Sequence, residues 1–564
     1  MEDAALSESF VDNVNKAVYV DAVNFWREKR AMRKRTARGG ARHHRRGRFA
    51  ILTLRVCLYG CVGPAATLPG AQPAERFAFE RYDVVTGARE PQTVLTGFLL
   101  GSSMADLAVV DSDENDDRRL RILTFRAGEW VPEVETTLRP GTSFVDVAAI
   151  DGRDRLVIYG AGRLTWFDAE SEREHELATV ESDFISPRRG AVVHVDITRD
   201  LNGDGRDELV VPQNHAFHVL VQRSGGTFAD PVTIGPSTGP DRVYRGDGSR
   251  FRPWDDGGRV HEMDYDLDGR RDLVFWNQDH FAVHLQDQRG LFAAEASTTF
   301  TTEVAFDSDD HASLAAPQEV RHRRIDDSLT GAPTGRVLRS LTDLNGDGVA
   351  DLVVFSLDIR SMWNVRFTYE VHLGAPTPEG GTVFAPDAGA TILSDSLPYE
   401  IGPYDFDNDG QVDVMFRTMR FGVFKTVRMI GAGMLTRSVP MRLDFYRMEG
   451  GLYSGKPSAV RKIRGRAPGV SGEKGIFHPS VLVGDVNGDG RDDLVVQKGR
   501  KGLNVFLGVP GPELFAGSPE EVAIAMPNEE YTWLVDLNRD GKQDVLIHHT
   551  FTTEPHRVTI LVAR

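Results

Sequence analysis

The sequence predicts an all-β propeller, and three observations carry that prediction. A nine-residue acidic pattern, D-x-[DN]-x-D-G-x-x-[DE], occurs six times in 564 residues. Each copy runs into a short apolar stretch rich in β-branched residues, which reads as a strand. The chain also holds 56 Gly and 28 Pro, a supply of turn residues that suits many short strands.

The pattern places oxygen-bearing groups at positions 1, 3, 5, 7 and 9. In chain order these are Asp200, Asn202, Asp204, Arg206 and Glu208; then Asp264, Asp266, Asp268, Arg270 and Asp272. The third and fourth copies give Asp343, Asn345, Asp347, Val349 and Asp351, and Asp405, Asp407, Asp409, Gln411 and Asp413. The last two give Asp485, Asn487, Asp489, Arg491 and Asp493, and Asp536, Asn538, Asp540, Lys542 and Asp544. Side chains at 1, 3, 5 and 9 and the backbone carbonyl at 7 form an all-oxygen set around a turn that the glycine at position 6 permits. Such a set in a flexible loop selects Ca²⁺ over Mg²⁺, which demands a stricter octahedron, and over Zn²⁺, which prefers N and S. About six structural calcium ions are expected. An EF-hand is excluded, because position 12 is Val211, Phe275, Val354, Phe416, Val496 or Ile547 where that loop needs a bidentate Glu.

The unit around each loop is a hairpin. Apolar stretches such as Val192–Val195 and Val481–Val483 precede the loop, and Leu209–Val211, Leu273–Phe275, Leu352–Val354, Val414–Phe416, Leu494–Val496 and Val545–Ile547 follow it. A Gly-x-Phe-like turn signal recurs downstream at Gly226–Phe228, Gly290–Phe292, Gly381–Phe384 and Gly451–Tyr453. The unit is therefore about four strands, with the acidic loop between the first two. Ninth positions are spaced by 64, 79, 62, 80 and 51 residues, a spacing that suits propeller blades with variable loops. Two degenerate units lie upstream. Asp106–Val110 keeps the ninth position and its strand, and Val147–Val157 keeps the hairpin with a shortened loop. The expectation is eight blades, with seven as the alternative. The last loop leaves room for only two strands, so the run Phe77-Ala78-Phe79 is a candidate for the closing strand of a ring without long free sheet edges.

At these residues the chain resembles the FG-GAP/VCBS repeat family, which includes the propeller of integrin α-subunits, secreted bacterial proteins, fungal lectins and domains of polysaccharide lyases. Leu373-Gly374-Ala375-Pro376 matches the Gly-Ala-Pro element of that family, and Leu507-Gly508-Val509-Pro510 is a looser version. The resemblance covers residues 76–564 and implies the propeller fold, the calcium and an extracellular setting. It implies no particular ligand. The two N-terminal units depart from the pattern and are not expected to bind calcium.

Charge and cysteine placement bear on that setting, since export normally favours disulfides. Residues 1–60 carry 13 Lys and Arg against 6 Asp and Glu, which leaves 53 against 77 for the rest of the chain. A body this acidic repels nucleic acid and anionic membrane. The only cysteines are Cys57 and Cys61, so the body needs a staple other than disulfides. The basic run 33–48 followed by the apolar run 49–62 has the layout of an export signal, too short to cross a bilayer as a helix. Residues 32–60 are read as that signal, 61–75 as a linker, and 1–31 as a mis-called start ahead of Met32 or a disordered tail. Leu58-Tyr59-Gly60-Cys61 resembles a lipobox, which makes Cys61 a lipidation candidate and the only expected link to a membrane. The protein is expected to be secreted, periplasmic or cell-surface, and monomeric.

No catalytic motif stands out. H-E-x-x-H and G-x-S-x-G are absent, and Gly450…Gly455-Lys456 is followed by Pro457 where a phosphate loop needs Ser or Thr. That stretch reads as a turn. Arg245-Gly246-Asp247 is a tripeptide in a polar loop. The insertions 301–336 and 454–478, the latter with Lys456, Arg461, Lys462, Arg464 and Arg466, are the candidate recognition loops on a rigid scaffold. The expected role is a binding or adhesion module for glycans or surface proteins and not an enzyme. The alternatives are a carbohydrate-active lyase or hydrolase and a purely structural surface protein.

Overall fold

A computed structural model of the chain describes residues 77–564 apart from 89–91, 113–114, 116, 183, 185–191, 214–215, 236–249, 252–259, 310–334, 362–363, 379, 420–437, 467–478, 526–531 and 550–555. The candidate export signal, Cys61, the Arg245-Gly246-Asp247 tripeptide, residues 310–334 of the first insertion and 467–478 of the second lie outside the described residues, and the start of the second, read as a loop, instead forms the strand Ala459–Arg466. The described residues belong to one compact unit, Glu75–Arg564, and contain no helix.

Eight blades form a ring. Blade 1 is Gln92–Gly97, Asp106–Ser112, Arg118–Arg126 and Glu129–Thr137, and blade 2 is Thr142–Ile150, Arg153–Gly160, Arg163–Asp168 and Arg173–Thr179. Blade 3 is Thr198–Arg199, Glu208–Gln213, Ala216–Leu220 and Val232–Ile234, and blade 4 is His261–Met263, Asp272–Asn277, His280–His284 and Thr298–Phe300. Blade 5 is Gly335–Thr342, Asp351–Ser361, Asn364–His372 and Ala390–Ser394. Blade 6 is Leu397–Tyr404, Asp413–Met419, Ser438–Tyr446 and Ala459–Arg466. Blade 7 is Val481–Gly484, Asp493–Gln497, Gly502–Phe506 and Glu520–Ala523. Neighbouring strands within each blade are antiparallel.

The ring closes with strands from both ends of the described chain. Thr532–Val535, Asp544–His548 and Arg557–Ala563 form three strands of blade 8, and Phe79–Val85 adds the fourth in register from Phe79 opposite Ala563 to Val85 opposite Arg557. The predicted closing strand is therefore present, two residues later than its first aromatic. Blade 2 departs from a plain four-strand count. Val193–Val195 pairs in parallel with its inner strand and with Arg250–Phe251, so two short parallel strands extend the sheet beyond its inner edge.

Both faces of these sheets are apolar because each blade is sandwiched between two others. One buried cluster lies at each of the eight seams. The seam between blades 1 and 2 joins Val110, Leu120 and Ile122 to Val145, Leu156 and Ile158. The seam that completes the circle joins Val94, Leu107 and Val109 of blade 1 to Leu546, Val558 and Ile560 of blade 8. This explains why the second strand of each unit reads as an unbroken apolar run instead of alternating. Each fully buried Leu, Ile, Val or Phe contributes about 1.5–3 kcal/mol of transfer free energy.

The turn signals also fall into place. Gln222 bridges Phe228, Gln286 bridges Phe292 and Gly508 bridges Phe515. In blades 5 and 6 the same feature is a small hairpin, Gly374–Pro376 with Thr382–Phe384 and Met448–Glu449 with Leu452–Tyr453. The phosphate-loop look-alike is that second turn, with Gly450 and Gly451 at φ 62° and 78°.

Candidate metal centres

All six acidic loops fold alike, and their sequence explains how. Position 6 is always Gly with positive φ, from 77° at Gly205 to 88° at Gly269. Position 4 is left-handed as well: Gly203, Leu267, Gly346, Asn408, Gly488 and Arg539 have φ between 57° and 76°. These two left-handed residues bend the chain around position 5 and turn its N–H groups inward. The sequence reading placed only the glycine at position 6. The Gly or Asn at position 4 in four copies was the available signal, and Leu267 and Arg539 hid it.

The carboxylate at position 1 gathers those N–H groups. In blade 4, Asp268 and Gly269 donate to the two oxygens of Asp264 at 3.0 and 2.8 Å. In blade 7, Asp489 and Gly490 donate to Asp485 at 3.2 and 2.7 Å. The position 5 carboxylate accepts the N–H of position 7, as Asp347 does from Val349 at 2.9 Å. A carboxylate with oxygens fixed by backbone N–H groups keeps its remaining lone pairs aimed at the loop centre.

Position 9 does a different job. Glu208, Asp272, Asp351, Asp413, Asp493 and Asp544 are at most 1% exposed. One oxygen of each accepts the N–H of position 2, at 2.8 Å from Leu201, 2.9 Å from Tyr265 and 3.0 Å from Val486. In five blades the other oxygen accepts the N–H of a residue at or just past the end of the third strand, namely Gln286, Gly374, Met448, Gly508 or Ala563. Burial pushes these acids up, and neighbouring loop carboxylates add to it while the backbone donors oppose it. Glu208 and Asp413 reach about 7, and Asp272, Asp351, Asp493 and Asp544 about 6. Asp106 in blade 1 keeps this staple, accepting from Leu100 at 2.7 Å and from Ser102 at 3.0 Å. Blade 2 replaces the loop by a two-residue turn, Asp151-Gly152, with φ 53° and 70°, the primed turn that suits a twisted hairpin.

The loops divide by position 3. Asn345, Asn487 and Asn538 donate through Nδ2 to the position 5 carboxylate at 3.0–3.1 Å, and Asn202 donates to Glu208 at 3.3 Å. Asp266 and Asp407 have no amide to offer. Their Oδ1 atoms are buried and lack any hydrogen-bond partner. Both belong to groups of three carboxylates whose oxygens lie within 4.8 Å of one another: Asp264, Asp266 and Asp268, and Asp405, Asp407 and Asp413. Oxygen-only donors at this spacing around an orphaned carboxylate oxygen fit a hard divalent cation. Arginine supplies the nearest positive charge, as Arg206 pairs with Asp204, Arg270 with Asp268 and Arg447 with Asp407. Arg447, which carries no motif in the sequence, is the loop partner that sequence reasoning missed.

Residues 479–500 match the FG-GAP repeat. No curated protein matches the chain. Among solved structures, a chain of the Photorhabdus luminescens Tc holotoxin pore is similar at 15% identity and TM-score 0.28, over 78% of this chain and 18% of that one. An Agrocybe aegerita lectin that recognises non-reducing terminal N-acetylglucosamine is similar at 16% identity and TM-score 0.33, over 74% and 86% of the two chains. The V. cholerae biofilm matrix protein Bap1 is similar at 11% identity and TM-score 0.22, over 83% and 76%. The segment that matches is the hairpin and acidic loop of blade 7, so residues 479–500 are an FG-GAP repeat, and a like hairpin and acidic loop recurs in five further blades of the propeller.

Proposed function

We propose that this protein is a calcium-stabilised propeller that works outside the cell as a binding module for glycans or surface proteins, and not as an enzyme. The observation that carries the calcium reading is the pair of buried, partnerless Oδ1 atoms of Asp266 and Asp407 inside three-carboxylate groups. A carboxylate oxygen buried without a donor is costly, and a cation in the loop removes that cost. The ion's role is structural. It neutralises carboxylates that would otherwise crowd a nine-residue turn, and it orders hairpins in a body that has no cysteine after Cys61.

The binding reading is supported by where the perturbed acids sit. The carboxyls raised to about 6 or 7, including Asp492 at position 8, belong to the acidic loops. Those at position 9 already accept backbone N–H groups and so hold the hairpin, and Asp413 also joins a three-carboxylate group. Titration calorimetry with CaCl₂ on chelator-treated protein tests the metal, with heat saturating at several equivalents expected. A glycan array set beside a reducing-sugar release assay tests the activity. Release of sugar from a bound glycan would replace the binding module with a hydrolase or lyase.

A further inference from the structure

Among the described residues each blade ends in an outer strand that pairs with no further strand, and the outer strand of blade 6 differs from the other seven. Val232–Ile234 and Thr298–Phe300 are three residues long, Glu520–Ala523 is four and Ala390–Ser394 is five. Glu129–Thr137 carries three Glu, a Pro and a register shift, and Arg173–Thr179 is also shifted. Phe79–Val85 mixes Glu80 and Asp83 with Arg81. Ala459–Arg466 is eight residues, keeps unbroken register with Ser438–Phe445, and its charges, Arg461, Lys462, Arg464 and Arg466, are all positive. Bulges, Pro, short length and charged side chains are the usual ways to blunt a sheet edge; this edge uses only the last, so like-charged edges repel it and an acidic strand that neutralises it does not.

The strand is also held firmly. Arg461 turns inward, donates to the carbonyls of Phe515 and Ala516 at 2.7 Å each, and lies 4.8 Å over the Phe506 ring. Val460, Lys462 and Arg464 face outward and are exposed. Lys462 stands directly opposite Arg442; Asp444 pairs with the Arg442 guanidinium, which leaves the Lys462 charge to be met from outside. Among the described residues neither Lys462 nor Arg464 has an ion-pair or hydrogen-bond partner. An open groove of about 590 Å³, lined by Ser458, Val460, Arg461, Pro512, Glu513 and Phe515, flanks the start of the strand.

We propose that the outer edge of Ala459–Arg466 docks an extended acidic peptide segment of a partner protein, which adds to blade 6 as a fifth strand. Residues two apart on a strand lie about 6.8 Å apart on one face. A peptide with carboxylates at every second residue therefore sets them against Lys462 and Arg464 while its backbone pairs with the free edge. The surrounding body carries an excess of acid, so an acidic segment is repelled elsewhere and concentrated here. This deepens the binding-module reading by naming a partner chemistry, and it rests on that reading.

The test is fluorescence anisotropy on the full chain in calcium, with a labelled (Glu-Thr)₄ peptide as probe. Comparison peptides are its block isomer Glu₄Thr₄ and two forms N-methylated along one edge or the other. The expected result is binding about tenfold tighter than the block isomer, lost on N-methylation of one edge only. The double variant Lys462→Glu/Arg464→Glu should weaken binding at least about tenfold with its calcium-dependent melt intact. Equal binding of the block isomer, of both N-methylated forms or by the double variant overturns the proposal. Binding of heparin with no binding of the peptide overturns it in favour of a polyanionic glycan, and no binding of either also overturns it. A melt insensitive to calcium with peptide binding retained would sink the metal reading alone.

Discussion

The N–H of Ala105 donates to the carbonyl of Leu537 at 2.6 Å, across the seam that closes the ring. Ala105 precedes the buried Asp106 of a blade that has lost its acidic loop, and Leu537 is position 2 of the last loop that keeps one. The same contact joins Val412 to Leu344 at 2.7 Å, and a like one joins Gln543 to the carbonyl of Asp485, position 1 of its loop, at 2.7 Å. Gln286 reaches the carbonyl of Leu201 through its side chain at 3.1 Å. The acidic loops are thus points where one blade grips the next, and whatever orders a loop stiffens a seam.

Calcium should therefore raise the melting temperature of the whole propeller. An ion at ten times its Kd adds about 1.4 kcal/mol per site. Scanning calorimetry with and without chelator measures the shift. Asp266→Asn gives it a sign: removing one crowded charge should raise the melting temperature in chelator and lower the gain that calcium brings. A variant that melts like the parent in both conditions would count against the cation.

The ninth position should matter even without metal. Asp493→Ala strips acceptors from the buried N–H groups of Val486 and Gly508, at about 1–3 kcal/mol for each group left unsatisfied. Denaturant unfolding in chelator should show that loss. Asp492→Ala, whose carboxyl is half-buried at the neighbouring position, should cost less.

His549 supplies a pH test. Burial first, and then the Arg557 charge, hold its imidazole down at about 4 from an ordinary 6.5. It is 2% exposed, and its Nε2 lies 2.8 Å from the Thr559 hydroxyl. The unfolded chain binds this proton more readily than the folded one, so the stabilising contribution is present above 6.5 and is lost as pH falls toward 4. The parent should lose stability relative to His549→Gln across that window, read from paired denaturant melts. A constant gap between the two would refute the assignment.

Removing residues 77–88 should open the ring. Phe79–Val85 forms the outer strand of blade 8, and Asp83 accepts the Thr559 hydroxyl at 2.7 Å. Without it the edge of Arg557–Ala563 is exposed, and the protein should melt far lower and self-associate. Light scattering against temperature measures both effects.

Much of this was legible in the residues themselves. The six D-x-[DN]-x-D-G-x-x-[DE] loops, their apolar successor strands and the two degenerate units predict eight four-stranded blades, because the turn chemistry and the strand pattern are local. The asymmetry among the loops was half-legible: Asp266 and Asp407 differ from Asn at a glance, but that their Oδ1 atoms lack donors depends on packing. Tertiary structure alone decided that Arg447 meets Asp407 across 40 residues, that Ala105 meets Leu537, and that Phe79–Val85 seals the last blade. It alone set Lys462 and Arg464 outward while Arg461 is spent on blade 7. Those outcomes depend on which strands become neighbours when the chain closes on itself, and closure distance is a property that no window of sequence contains.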